Sequence, residues 1–149
     1  MMTALPTDRG VELLSGAVDY LLGRDEVTSD GIGAVGFCMG GGFVLTLAAR
    51  DRRVAAAVPF YGVIPGALPD FSSLRAQVLG HYGETDSSVP PEAVQELDSA
   101  IKRQSGVVPV FHLYPAGHAF FNDRRETYHA PSAELAWERT LAFLHAQLG

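Results

Sequence analysis

The sequence predicts an α/β protein built on one parallel sheet of about four strands with helices on both faces. Four short apolar runs, at residues 32–37, 54–60, 77–82 and 107–114, have the length and composition of buried strands. Segments of helical length alternate with them, the order that covers a parallel sheet on both sides. The chain has 149 residues, 47 % of them hydrophobic, with 16 glycines and 9 prolines. That reads as a single domain over residues 1–149, rich in tight turns and able to bury roughly 70 % of its unfolded surface.

Taken in order, residues 1–8 are expected to form a loose arm. Residues 11–22 place Val11, Leu14, Val18, Leu21 and Leu22 at helical spacing, an amphipathic helix followed by a polar turn over 23–30. Residues 31–42 read G-I-G-A-V-G-F-C-M-G-G-G, and the rest of the chain is organised around them. A strand, 32–37, runs into Cys38 and a glycine run, and residues 43–49 then form a helix that ends near Arg50. Arg50, Arg52 and Arg53 suit the negative end of that helix. A second strand, 54–60, closes on Tyr61 and Gly62, and a loop with Pro65, Pro69 and Asp70 leads to the third, 77–82. Pro90-Pro91-Glu92 starts a helix reaching Gln104. The fourth strand, 107–114, is followed by a long loop over 115–131. A helix over 132–148 closes the chain, with Leu135, Leu141, Phe143 and Leu144 on its apolar side.

Strand, sharp turn with one nucleophilic side chain, and helix is the layout of a nucleophile elbow. Gly36 and Gly40 flank Cys38 at two-residue offsets, where absent Cβ atoms let strand and helix approach. A lone cysteine at a strand end is ordinarily a small core hydrophobe; the glycine frame is what argues for a reactive one. Gly31, Gly33 and Gly36 also spell G-x-G-x-x-G, but a dinucleotide fingerprint follows its strand and opens a helix. Here the glycines precede and occupy the strand, and no G-K-[ST] follows to make a phosphate loop.

Composition narrows the partners. A net charge of −6 argues against nucleic acid and anionic membranes, which need a basic face. No run is long enough to span a bilayer, and residues 1–10 show no apolar signal region. A single cysteine forms no internal disulfide, which fits a reducing cytoplasm. The five histidines make no H-E-x-x-H or Cys/His pairing, so neither a metal nor another cofactor is expected.

In a parallel sheet, functional groups collect at the C-terminal strand ends. The first strand ends at Cys38, the third at G-E-T-D with Glu84 and Asp86, and the fourth at P-A-G-H with His118. Thiol, carboxylate and imidazole thus share one rim, in the order nucleophile, acid, base of the α/β-hydrolase arrangement. A helix N-terminus and an adjacent imidazolium favour the thiolate of a cysteine. His118 would exchange the thiol proton and Asp86 would fix the imidazole tautomer. The Met39 N–H would hold an oxyanion. Asp86, deeper in its loop, is preferred to Glu84 as third member, with a plain turn role as its alternative. His81, inside a strand, reads as a satisfied core or interface histidine, and His112, His129 and His145 as surface groups. Tyr61 lies beside the elbow, either lining a pocket or only packing.

The motifs G-F-C-M-G-G (36–41), F-Y-G (60–62), G-E-T-D (83–86) and Y-P-A-G-H-A-F-F-N-D (114–123) together resemble the dienelactone hydrolase family, over nearly the whole chain from Val11 onward. The resemblance implies a Cys-His-Asp enzyme acting on small carboxylic esters or lactones, with Cys38, Asp86 and His118 in those roles. Tyr61, Phe120 and Asn122 are its expected pocket residues. It further implies the C-terminal half of an α/β-hydrolase fold. The early strands, and the loop giving a second oxyanion donor, would then be absent. Some members carry a substrate-binding arginine four residues after the histidine; Asn122 stands there, which turns the expectation away from a charged dienelactone. Without the early strands one edge of the elbow strand should be bare, an association hazard that a second copy or a partner chain would cover. A different class of function remains alongside: a catalytically silent fragment or interaction module that keeps the half-sheet.

Overall fold

A computed structural model describes residues 5–149. The elements run α1 (Thr7–Leu22), β1 (Ile32–Phe37), α2 (Met39–Arg50), β2 (Val54–Phe60), β3 (Gln77–Gly83), α3 (Pro91–Ser105), β4 (Val110–Tyr114) and α4 (Ala130–Leu148). The four strands form one sheet in the order β1-β2-β3-β4, every pair parallel. Their C-terminal ends therefore share a rim, and the loops bearing Cys38, Asp86 and His118 all leave from it.

Helix α2 packs on β1 and β2 and α3 on β3 and β4, while α4 crosses β1, β2 and β3; α1 leans on α2. Two apolar cores result. The larger joins Val11 and Val18 of α1, Leu45 and Leu47 of α2, and Leu97 and Ile101 of α3 to Ala57, Val78 and Tyr82 of the sheet. The smaller joins Val58, Phe60 and Tyr61 to Tyr114, Phe120 and Ala136 of α4. On that second face the register lines up Phe37, Phe60, His81 and His112, one from each strand. Their ring centroids follow one another at 4.7, 4.5 and 6.0 Å.

Several boundaries differ from the sequence expectation, each for a physical reason. Residues 1–4 of the expected arm lie outside the described residues, and Thr7 and Asp8 already belong to α1. Asp8 is held there by Arg50 at 2.7 Å. Helix α2 starts at Met39 rather than Phe43, since its glycines are helical and Gly41 and Gly42 pack closely against the backbone of residues 60–63. Strand β4 starts at Val110, not Val107: Gly106 ends α3 in a left-handed conformation (φ 75°), and Pro109 has no N–H for the ladder. Helix α4 starts at Ala130, two residues early. Its buried stripe is small, with Ala133, Ala136 and Thr140, whereas Leu135 and Leu141 face outward. Leu14 and Leu21 of α1 are likewise exposed.

Among the described residues β1 pairs with β2 alone, so it forms one edge of the sheet, with Val35 and Phe37 partly exposed there. Among the described residues, no helix is long and apolar enough to cross a membrane.

Candidate active site

The elbow is built by backbone contacts. Cys38 sits at φ 54°, ψ −120°, between the last residue of β1 and the first of α2. Its N–H donates to the Phe60 carbonyl at 3.0 Å, and its own carbonyl accepts from Gly41, Gly42 and Val63 at 3.0, 3.3 and 3.0 Å. Two glycines make this approach possible. A Cβ at Gly36 would collide with the Gly40 carbonyl, and one at Gly42 with the Val63 carbonyl. Gly40 itself has open space where a Cβ would go, so the flanking pair expected from spacing is sterically required at Gly36 only.

Opposite the sulfur, His118 Nε2 lies 3.2 Å from Cys38 Sγ, and His118 Nδ1 lies 2.7 Å from Asp86 Oδ2. A carboxylate oxygen can only accept, so Nδ1 carries a hydrogen; in the neutral imidazole the Nε2 lone pair then faces the sulfur. The Asp86 side chain is fully buried, and its other oxygen, Oδ1, accepts N–H groups from Ser88 at 2.7 Å and Val89 at 3.0 Å. The turn role and the histidine-orienting position are thus one arrangement, with an oxygen for each. Glu84 is exposed, and its N–H bonds the Tyr114 carbonyl.

Strain gathers at this rim. Among the described residues, the non-glycine residues with positive φ are Cys38 (54°), Tyr61 (38°) and Ala119 (61°). Each left-handed L-residue costs on the order of 1–2 kcal/mol, and all three border the sulfur or the imidazole. The rings of Tyr61 and His118 meet edge to face, centroids 5.1 Å apart. Burial, and after it the neighbouring Cys38, push the Tyr61 hydroxyl up to about 12, so it stays protonated and able to donate. Met39 opens α2, so its N–H has no carbonyl one turn earlier to bond. That amide lies at the helix's positive end, where an anion is favoured.

The structure places two of the expected pocket residues as follows. Phe120 is fully buried against Tyr61 and Tyr114, so it is core, and its neighbour Phe121 is the partly exposed ring, 5.3 Å from Phe37. Asn122 is exposed, and its Oδ1 accepts the Arg124 N–H at 3.0 Å, a turn contact. The sequence reading missed the backbone amides of Ser88 and Val89 and the Thr127 hydroxyl, which donates to the His118 carbonyl at 2.6 Å. The D-S-S-V stretch carried a turn signal for the first two; nothing local marked Thr127.

Comparisons with known proteins agree with this architecture. The sequence pattern of the dienelactone hydrolase family matches residues 1–148. A relative from Escherichia coli O157:H7, named "Putative carboxymethylenebutenolidase", is 36 % identical over 115 residues, which is 71 % of this chain and 42 % of the relative. One of the same name from Methylorubrum extorquens is 32 % identical over 149 residues, covering 93 % of this chain and 51 % of the relative. The crystal structure of a "Putative Dienelactone Hydrolase" from Klebsiella pneumoniae superposes with a TM-score of 0.83 at 31 % identity, over 94 % of this chain and 62 % of that one. The chain spans about half the length of the curated relatives it matches. On a family match that runs almost end to end, with the parallel sheet and the elbow beneath it, the chain belongs to the dienelactone hydrolase family.

Proposed function

We propose that this chain hydrolyses small carboxylic esters or lactones through an acyl-thiol on Cys38. The observation that carries the reading is the unbroken line from Asp86 Oδ2 to His118 at 2.7 Å and from His118 to Cys38 Sγ at 3.2 Å. His118 Nε2 takes the thiol proton as sulfur attacks the carbonyl carbon. The carbonyl oxygen becomes an oxyanion held by the Met39 N–H, and Asp86 stabilises the imidazolium. Collapse breaks the C–O bond, and the imidazolium returns its proton to the departing alkoxide. Water, deprotonated by the same nitrogen, then attacks the thioester and restores the thiol, releasing the carboxylic acid.

The family's chemistry supports the ester or lactone class, and a Bradyrhizobium relative, 30 % identical over 142 residues, is named for lactonase activity. Asn122 and a net charge of −6 favour an uncharged substrate over an anionic one. A lone cysteine kept for chemistry suits the reducing cytoplasm. Hydrolysis of p-nitrophenyl acetate by the wild type, lost in Cys38→Ala, is the expected result. Equal rates for both would sink the reading.

The open edge of β1 supports one addition: a second copy of the chain, or a partner chain, pairs there. Val35, 37 % exposed, and Phe37, 39 % exposed, are large apolar side chains on that edge strand. Equal rates in the ester assay together with stable self-association would favour the interaction module over the enzyme.

A further inference from the structure

The loop after β4 must hold the His118 imidazole between a sulfur and a buried carboxylate. Among the described residues, the hydrogen bond to the His118 carbonyl comes from Thr127 Oγ1, at 2.6 Å and nine residues further on. The same threonine sets its Cγ2 methyl 3.5 Å from where a Cβ on Gly117 would stand. Thr127 is exposed, and neither core includes it.

The peptide it grips is the one under strain. Ala119 has φ 61°, a conformation an alanine avoids. Turning the 118–119 peptide plane over would carry Ala119 to negative φ and relieve it. That turn would swing the His118 carbonyl away from Thr127 and change the backbone angles that select the His118 rotamer. Before that peptide, the Ala116 carbonyl accepts the Thr85 N–H at 3.2 Å and the Ala116 N–H donates to the Tyr114 carbonyl at 2.7 Å; after it, the Asn122 N–H bonds the Ala119 carbonyl at 2.9 Å and the His129 N–H bonds the Phe120 carbonyl at 3.0 Å. None of these opposes the flip.

We propose that Thr127 is a positioning residue for His118: its hydroxyl locks the strained 118–119 peptide and so keeps Nε2 aimed at Cys38. The inference rests on the hydrolase reading for its catalytic consequence, but not for its geometry. A single hydrogen bond of this kind is worth about 0.5–1.5 kcal/mol, or roughly two- to tenfold in rate.

The test compares Thr127→Val, Thr127→Ser and the pair Ala119→Gly with Thr127→Val, all in the full chain. Two readouts are taken: kcat and KM for p-nitrophenyl acetate, and the rate at which iodoacetamide alkylates the single cysteine at pH 7. Thr127→Val should lower kcat and the alkylation rate by about two- to tenfold while leaving KM within about twofold. Thr127→Ser, which keeps the hydroxyl, should restore both rates. The glycine at 119 removes the strain that drives the flip, so the double variant should recover most of the loss. Wild-type rates in Thr127→Val would overturn the proposal. So would a serine variant as slow as the valine one, a double variant without recovery, or a loss explained by a collapsed thermal midpoint. A protein that alkylates as described but hydrolyses no ester would refute the hydrolase reading alone. One that hydrolyses ester but is indifferent to Thr127→Val would refute this proposal alone.

Discussion

At the scale of single residues, the elbow shows how far backbone geometry can be set by atoms that are missing. Gly42→Ala would drive a methyl into the Val63 carbonyl, a backbone atom with no rotamer to yield. Its expected cost is about 1–3 kcal/mol, read as a lower urea midpoint. Gly40→Ala meets open space inside a helix, so its midpoint should stay level or rise by up to about 1 kcal/mol. A fall for Gly40→Ala matching that for Gly42→Ala would contradict the account. Tyr82 offers an opposite case: among the described residues its buried hydroxyl has no hydrogen-bond partner, and burial pushes its ionisation upward. Tyr82→Phe removes a desolvated group and keeps the ring against Phe111, so stability should be unchanged or higher by about 1 kcal/mol. A clear loss in denaturant unfolding would mean that the hydroxyl has a role the contacts do not reveal.

At the scale of elements, α4 is tied to the sheet by a directed chain of hydrogen bonds. Thr140 Oγ1 donates to the Ala136 carbonyl at 2.8 Å, so it accepts from His81 Nε2–H at 2.9 Å. His81 Nδ1 then accepts the Tyr114 hydroxyl at 2.9 Å, and Tyr114 accepts from Arg139 at 3.1 Å. Only a neutral His81 satisfies every partner. Burial, with His112 and Arg139 beside it, pushes its pKa from the ordinary 6.5 down to about 3. The unfolded chain therefore binds a proton that the folded one refuses. The stability this contributes is complete above pH 6.5 and is lost as pH falls toward 3. His81→Gln should lower the urea midpoint at neutral pH yet flatten its decline between those limits. An unchanged slope would contradict the assignment. Much of this scale was legible in the sequence: the strands as apolar runs, the α3 start from its paired prolines, and His81 as a satisfied core histidine. The parts missed share a cause, since side-chain patterns do not report backbone packing. The glycines of α2 look like poor helix formers, and the leucines of α4 look buried although small residues form the contact. That Cys38, Asp86 and His118 would lie together was legible because strand ends converge by topology. Phe120 lies buried while Phe121 is partly exposed, a difference no sequence pattern marks in an irregular loop, and Thr127 went unmarked because its partner lies nine residues away.

At the scale of the whole molecule, one rim holds the sulfur, imidazole and carboxylate in line, while β1 forms an edge of the sheet among the described residues. If a second copy pairs there, Val35→Lys should shift micromolar samples toward monomer in light scattering and leave the alkylation rate of Cys38 unchanged. A wild type that is already strictly monomeric would count against pairing. The central claim is covalent, so it is tested most directly by mass spectrometry of protein quenched in acid during turnover of p-nitrophenyl acetate. The account predicts one acetyl group on the peptide containing Cys38 in the wild type, and none there in His118→Ala within the same interval. An acetyl group found only on other residues, or equal labelling of Cys38 without His118, would contradict it.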